Sequence, residues 1–245
     1  MSLNIGYFAD GPWSHQAFDK LINDSDILIK FICVRFDSQD EILKKYCKKY
    51  GIDYLRDRNV NSKKFINKLS EYNCDLFVSM SFNQIFKKEI INLTKYKIIN
   101  CHSGKLPFYR GRNVLNWALI NGEDEFGITV HYVDEGIDTG DIILQDIHSI
   151  ALQDNYSTLL TRSYSGCANI LYKAVTLFKN GKAKGRKQKN IHPIGFSCTQ
   201  RKIGDEIINW DDTSINVFNF IRSICHPGPI ARAFINGIEV KINKS

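Results

Sequence analysis

The chain has 245 residues, which suits one substantial domain or a larger core with a small appendage. Its 43% hydrophobic and 24% charged residues are typical of a globular enzyme, and no stretch approaches the ~20 consecutive apolar residues that cross a membrane. The net charge of +7 is spread along the chain, so we expect neither a membrane nor a nucleic-acid partner.

The first hundred residues alternate between predicted strands and predicted helices. Apolar runs predict strands over 3–10, 27–36, 74–82 and 97–103, and helical spacing predicts helices over 15–24, 40–51, 61–73 and 87–94. This alternation predicts an α/β fold with a mostly parallel sheet, in which ligands bind at the carboxyl ends of the strands. The chain reads ADGPWSHQ after its first strand and not GxGxxG, which disfavours a nicotinamide enzyme.

The second half adds a helix over 114–122, strands over 126–134 and 141–150, and a long helix over 163–181. The basic stretch 179–190 has no interleaved aromatic side chains, so we interpret it as a solvated linker and not as a nucleic-acid contact. A helix over 214–225 and a hairpin turning at Asn236-Gly237 follow. We expect a catalytic core over residues 1–190 and a small C-terminal α+β lobe over residues 191–245.

The seven cysteines form no CxxC pair, and several lie in apolar runs, as buried reduced thiols do. No Cys/His cluster has zinc spacing, so no metal is expected. The N-terminus lacks the basic and apolar regions of a signal peptide, and together with the reduced thiols this predicts a cytoplasmic location.

Two polar residues end the predicted strand at 97–103. Asn100 and His102 are two positions apart, so their side chains emerge on one face. Histidine can act as a general acid or base near neutral pH, and an asparagine amide can donate to a carbonyl oxygen that gains negative charge. Asp138, in the loop between two later strands, could orient the imidazole. With no Ser or Cys nucleophile, this set suggests direct transfer between two bound substrates, although each residue alone is more often a cap or turn residue.

The loop that follows, SGKLPFYRGRN, places cations beside the Asn/His pair. Among Lys105, Arg110 and Arg112, we expect Arg110 to pair with a core carboxylate, because it precedes a glycine within the turn. Arg112 opens the next helix and is the better candidate for a phosphate contact. His131 and His148 lie within predicted strands, and we expect both to be satisfied structural histidines.

Residues 99–145 resemble the signature region of the N10-formyltetrahydrofolate-dependent formyltransferases. The shared elements are N-x-H, L-P-x-Y-R-G and D-x-G-x-D-x-G-x-I. A weaker likeness covers residues 74–86 and 203–229. The family includes methionyl-tRNA formyltransferase, glycinamide ribonucleotide formyltransferase and the sugar N-formyltransferases.

The resemblance implies a Rossmann-like core, N10-formyltetrahydrofolate as co-substrate and an amine as acceptor. It also implies that Asn100, His102 and Asp138 are catalytic. The pterin would lie against the backbone of residues 81–86 and of the loop 134–138. Packing in the core is an equally good interpretation of Phe82 and Ile85. The implied folate-binding residues are Ser81, Phe82, Asn83, Ile85, Phe86, Asp134, Glu135 and Gly136.

Within this family, residues 109–123 are more similar to the sugar enzymes than to the tRNA enzyme. The residues after Pro229 are also too few to form the C-terminal β-barrel with which the tRNA enzyme binds tRNA. The resemblance therefore implies that the acceptor is a nucleoside-diphosphate amino deoxysugar, with dTDP-4-amino-4,6-dideoxyglucose as the best guess. It also implies a role in lipopolysaccharide O-antigen assembly. The sugar enzymes further imply a homodimer. The implied acceptor contacts are Lys105, Tyr109, Arg112, Asn113, Trp117, His226 and Pro227. Methionyl-tRNA, glycinamide ribonucleotide and a non-catalytic folate or nucleotide-sugar binding protein are the alternatives.

Overall fold

The computed structural model describes residues 2–244 of the chain, and a seven-stranded sheet organises most of them. The strands are β1 (Leu3–Ala9), β2 (Ile27–Val34), β3 (Asp53–Arg56), β4 (Leu76–Met80), β5 (Ile98–His102), β6 (Arg110–Gly111), β7 (Glu125–Tyr132), β8 (Ile142–Ser149), β9 (Ser197–Cys198), β10 (Ala231–Ile235) and β11 (Ile238–Ile242). The large sheet has the order β3-β2-β1-β4-β5-β7-β8. β1 to β5 pair in parallel and β7 and β8 are antiparallel, which confirms the predicted mostly parallel α/β sheet.

Helices cover both faces of this sheet. They are α1 (Gly11–Ile22), α2 (Glu41–Tyr50), α3 (Lys63–Ser70), α4 (Lys88–Ile91), α5 (Val114–Ile120), α6 (Tyr156–Lys179) and α7 (Ser214–Ser223), with a 3-10 turn at Gln188–Asn190. The helix α6 begins seven residues before the predicted 163, because Asn155 and Thr158 form a capping box there. In residues 2–244 no helix is both long and apolar enough to cross a membrane.

The apolar core lies in two layers, one on each side of the sheet. Along β1, Ile5 and Tyr7 point into one layer and Phe8 points into the other, as strand alternation requires. Gly6 lies between the rings of Phe31 and Phe77, where any side chain would collide with them. A close approach of three strands therefore requires glycine at this position.

Two features of local structure differ from the predictions. The strand β3 went unpredicted, because only Leu55 of its four residues is buried and the segment shows no clear alternation. Residues 179–190 are mostly exposed, as predicted, but several of them are anchored to the rest of the fold. Lys179 pairs with Asp24 at 2.8 Å, Arg186 exchanges backbone hydrogen bonds with Ile142, and Gln188 is 4% exposed.

The last fifty residues build a small apolar cluster of their own. Helix α7 and the antiparallel β10–β11 pair surround Ile208, Ile224 and Ala231. The hairpin turns at Asn236 and Gly237, both with left-handed backbone, which confirms the predicted turn. A short parallel pairing of β6 with β9 returns the chain to the large sheet's carboxyl edge. The lobe boundary at residue 190 stays a prediction.

Phe8 tests how far the fold depends on the second core layer. Its ring is fully buried and lies 5.1 to 5.6 Å from four other phenylalanine rings. We expect Phe8→Ala to lower the free energy of unfolding by roughly 3 to 5 kcal/mol, because the cavity cannot close. Urea unfolding measures this loss. Ile203→Ala, at a side chain that is 98% exposed, should cost about 0.5 kcal/mol or less; equal losses would contradict the assignment of Phe8 to the core.

Candidate active site

Two adjoining cavities open at the carboxyl ends of β4 and β5. The larger has a volume of about 410 Å³ and the smaller about 120 Å³. The lining of the larger cavity comes from the loop after β4, the end of β5, the start of the loop before α5 and the loop before β8. Asn100 and Asp138 line both cavities, so they lie where the two volumes meet. This is the edge where the sequence predicts a ligand.

Strand β5 brings Asn100 and His102 together as predicted. It lies between β4 and β7, with Asn100 opposite Ser79 on one side and opposite His131 on the other. The Asn100 side-chain nitrogen lies 3.3 Å from Nε2 of His131. An amide nitrogen has two hydrogens, so it can donate one to the neutral His131 ring while the other faces the cavity. When His131 is protonated, the same Nε2 donates to Asp138 instead.

A backbone carbonyl fixes the protonation pattern of His102. Its Nε2 lies 2.7 Å from the carbonyl oxygen of Tyr109, which can only accept, so Nε2 carries the hydrogen. The other ring nitrogen, Nδ1, then faces Asp138 Oδ2 at 3.7 Å. Gly104 permits this arrangement, because a Cβ there would collide with the His102 ring and with the Tyr109 carbonyl.

The Asp138 carboxylate lies between two imidazoles. Its Oδ2 accepts a hydrogen bond of 2.9 Å from the Gly111 N–H and faces His102, while its Oδ1 lies 3.4 Å from Nε2 of His131. Burial by itself raises the pKa of Asp138, but the two histidines and the Gly111 N–H outweigh that effect and hold the pKa well below its usual range. The site therefore keeps a charged carboxylate that can stabilise an imidazolium.

His131 is a buried, hydrogen-bonded strand histidine, as we predicted, and it also lies in the site. It is 2% exposed, its Nδ1 donates to the Tyr132 carbonyl at 2.8 Å, and its ring lies beside both Asn100 and Asp138. His148 departs from the prediction of a satisfied histidine. Its buried Nε2 has no hydrogen-bond partner within residues 2–244, and burial lowers its pKa.

The predicted folate-binding residues divide between the two cavities. Ser81, Phe82, Asn83 and Ile85 line the larger one; Phe82, Ile85, Phe86, Asp134 and Gly136 line the smaller one; Glu135 is exposed and lines neither. The Phe82 ring packs edge-on against Phe8, with centroids 5.4 Å apart, so it belongs to the core and to the cavity wall.

Sequence reasoning missed the glutamine that anchors this wall. Gln84 lines both cavities, accepts from the Val60 N–H at 3.0 Å and donates to the Asp57 carbonyl at 2.9 Å. Trp13 and Ile137 also line the larger cavity and were not predicted. No motif marks them, because Trp13 reaches the site from helix α1 and Ile137 from the loop before β8, and both positions depend on the whole sheet.

Of the predicted acceptor contacts, Arg112 is the one that lines the larger cavity. It is exposed, and its guanidinium donates to the Gln200 side chain at 3.1 Å. Asn113 accepts from the backbone N–H of Arg201, and the Trp117 indole donates to the Thr199 carbonyl. Both side chains therefore hold the segment after β9.

The remaining predicted acceptor contacts lie outside both cavity linings. Lys105 pairs with Glu125, and the buried Tyr109 donates to Glu123 at 2.6 Å. His226 and Pro227 are exposed at the end of α7. The expectation that Arg110 pairs with a carboxylate is wrong, since its guanidinium donates to the side-chain oxygen of Gln188.

No group of three or more metal-ligating side chains occurs in the part of the chain that the structure describes. The site's polar contacts are instead among amide, imidazole and carboxylate groups. These can donate to a developing negative charge and move one proton, as transfer between two bound molecules requires.

Comparisons with known proteins agree on one type of reaction. The family description "formyl transferase" matches residues 33–175. The methionyl-tRNA formyltransferase of Fusobacterium nucleatum is 35% identical over 201 residues, which cover 82% of this chain and 64% of that protein. The chain thus spans somewhat less than two thirds of that relative's length.

Solved structures share the fold over almost the whole chain. The N-formyltransferase of Helicobacter canadensis, in complex with folinic acid and dTDP-3-aminofucose, is 26% identical with a TM-score of 0.71, covering 100% of this chain and 87% of that one. A 4-N formyltransferase from Francisella tularensis is 23% identical with a TM-score of 0.79, covering 98% and 96%.

The depressed pKa of Asp138 predicts how stability depends on pH. A carboxylate whose folded pKa lies below its unfolded value of about 3.9 contributes stability above that value, and the contribution is lost as the pH falls. We expect Asp138→Asn to flatten the fall in unfolding free energy between about pH 6 and about pH 3. Urea unfolding across this range measures it. Asp211→Asn, at an exposed loop position, should follow the wild-type curve; parallel curves for all three proteins would contradict the prediction.

Proposed function

The chain belongs to the formyl transferase family, and from this we propose that it moves a formyl group from N10-formyltetrahydrofolate to the amine of a nucleoside-diphosphate amino deoxysugar. One observation carries the proposal. Asn100, His102 and Asp138 converge where two cavities meet, so a donor in one and an acceptor in the other would react beside them.

The smaller cavity suits the pterin of the donor. Phe82, Ile85 and Phe86 give it apolar walls, while the loop at 134–138 adds backbone polar groups at its other side. A flat heterocycle with polar edges needs both kinds of surface. The folinic acid bound by the Helicobacter canadensis enzyme supports a folate as the donor.

The reaction exchanges one C–N bond for another and needs no redox step. The neutral amine attacks the formyl carbon, the bond from that carbon to N10 of the folate breaks, the amine gives up one proton and N10 gains one. The free N–H of Asn100 donates to the formyl oxygen as it gains negative charge, a contribution of roughly 3 kcal/mol for one such donor.

His102 and Asp138 handle the proton. Nε2 of His102 is committed to the Tyr109 carbonyl, so Nδ1 is the nitrogen that takes the proton of the attacking amine. The Asp138 carboxylate, 3.7 Å away, stabilises the resulting imidazolium. The same nitrogen then returns a proton toward the leaving N10, directly or through water.

Arg112 would anchor the acceptor. Its guanidinium uses one N–H for Gln200, and its remaining donors can bind a diphosphate with the geometry that arginine favours. The acceptor bound by the Helicobacter canadensis enzyme, dTDP-3-aminofucose, is of this chemical class, and that enzyme's fold extends over this whole chain.

We further propose that two copies of the chain pair through the β10–β11 hairpin. Phe234, Ile235 and Ile238 on that hairpin are 54, 58 and 68% exposed, an apolar surface that a second copy would cover.

Methionyl-tRNA is the second candidate acceptor, because curated relatives that are 35% and 30% identical to this chain are methionyl-tRNA formyltransferases. Incubation with N10-formyltetrahydrofolate and, separately, dTDP- and UDP-linked 3-amino and 4-amino deoxysugars and methionyl initiator tRNA distinguishes the two. We expect a nucleotide sugar to gain the mass of one CO. Formylation of the tRNA alone would overturn the sugar assignment, and no product with any acceptor would favour a binding protein.

His102→Asn should abolish turnover and leave donor binding nearly unchanged, because an amide cannot take the amine's proton. Steady-state rates and the equilibrium affinity for 5-formyltetrahydrofolate, a stable stand-in for the donor, measure the two effects. His192→Asn changes an exposed histidine outside both cavity linings and should keep wild-type rates. Normal turnover by the His102 variant would exclude the proposed proton transfer.

A further inference from the structure

Gln188 connects the loop that contains Asp138 to the paired strands β6 and β9, in which Gly111 lies. It lies in the 3-10 turn at the end of the basic stretch 179–190 and is 4% exposed. Its side-chain nitrogen donates to the backbone carbonyls of Asp138, at 2.7 Å, and Gly140, at 2.8 Å. Its side-chain oxygen accepts from Nε and Nη2 of Arg110, at 3.1 and 2.7 Å.

These four hydrogen bonds use the whole capacity of a primary amide. The nitrogen has two hydrogens to donate and the oxygen two lone pairs to accept, and each finds a partner. A carboxylate could still accept from Arg110 but would turn a charge toward two carbonyl oxygens. An apolar side chain would leave all four partners without their bonds, which is costly at a buried position.

Asp138, whose carbonyl Gln188 binds, has a backbone conformation that needs support from its surroundings. Asp138 has φ of +54°, in the left-handed region that disfavours non-glycine residues. Its neighbour Gly140 lies so close to the Tyr132 carbonyl that a Cβ would collide with it. The two carbonyls bonded by Gln188 flank this turn, so the glutamine holds the backbone that aims the Asp138 side chain.

Gln188 is itself held on a rigid frame. Two residues before it, Arg186 forms two backbone hydrogen bonds with Ile142 at the start of β8, at 2.9 and 2.8 Å. The amide therefore reaches Asp138 from the edge of the large sheet. The oxygen of the same amide binds the Arg110 side chain. The next residue, Gly111, donates its N–H to the Asp138 carboxylate.

We propose that Gln188 is a positioning residue that fixes the Asp138 carboxylate between His102 and His131 by holding the carbonyls of Asp138 and of Gly140, the backbone that follows it. The inference rests on the proposed function insofar as it takes Asp138 to act in formyl transfer. A contact that only stabilised the fold would not need to bind both the backbone of Asp138 and the side chain of Arg110. Arg110 precedes Gly111, whose N–H donates to the Asp138 carboxylate.

Gln188→Glu tests this positioning role, because it keeps the Arg110 contact and removes both donors to the backbone. We expect kcat to fall about 10- to 100-fold, while the KM values for donor and acceptor stay within about threefold. Asp138 is faced by His102, His131 and the Gly111 N–H, with Arg110 behind Gln188 and Arg112 in the same cavity lining. Loosening the first three contacts weakens the stabilisation of the imidazolium that forms on His102, so the loss should fall on kcat and not on KM.

Asn116→Asp is the matched control. Asn116 is 4% exposed and its amide donates to the Ser223 carbonyl, so this variant also turns a buried amide into a carboxylate facing a carbonyl, away from the site. Gln188→Leu, which cannot introduce a charge, provides a second variant if the glutamate protein fails to fold. We expect it to show the same loss of kcat.

A second readout does not depend on turnover. In protein labelled with ¹⁵N at histidine, the ring signals of His102 and His131 should shift in the Gln188 variants, while that of His226 stays in place. Unchanged signals and an unchanged kcat, or the same changes in Asn116→Asp, would overturn the positioning role. Shifted ring signals in a protein that formylates no acceptor would support the positioning role and sink the proposed function instead.

Discussion

The contact of one buried carboxylate with two imidazoles is the interaction on which the site depends. A charge removed from water is stable only where hydrogen bonds and opposite charges replace its hydration. Asp138 obtains them from His102 on β5, His131 on β7 and the N–H of Gly111 on β6. Since these partners come from three strands, the carboxylate can be satisfied only when the sheet edge and its loops are all in place.

The loops around this carboxylate hold an unusual share of unfavourable backbone. Eight non-glycine residues of the described chain have a left-handed φ, and four of them, Ser81, Tyr109, Asn113 and Asp138, lie in the loops that frame the cavities. Such conformations persist where surrounding contacts enforce them, and they concentrate at functional sites. Here the contacts are identifiable for two of them, because Tyr109 is held by His102 and Asp138 by Gln188.

The sequence could predict what depends on local periodicity and chain order. Alternating apolar runs give most strands, and a spacing of two places Asn100 and His102 on one face of β5. It could not give His131, whose place beside Asn100 depends on the antiparallel register of β5 and β7. Nor could it give Gln188, which belongs to a segment of lysines and arginines whose composition is that of a solvated loop. The family resemblance implies that Lys105 and Tyr109 contact the acceptor, but the turn directs their side chains to Glu125 and Glu123.

The curated relatives act on methionyl-tRNA, whereas a solved structure of the same fold holds a dTDP-linked amino sugar. The difference has a physical reason. The family match covers residues 33–175, which contain the loop after β4, Asn100, His102 and Asp138, and hence the residues that we propose bind the donor and carry out formyl transfer. Identity in this region reports the reaction and not the acceptor. The partners that hold Arg112 and Trp117 are Gln200 and Thr199, beyond that match, on the segment that β9 pairs to β6. We therefore expect acceptor choice to reside in residues 196–201, which could change between relatives while the carboxylate and its two imidazoles stay the same.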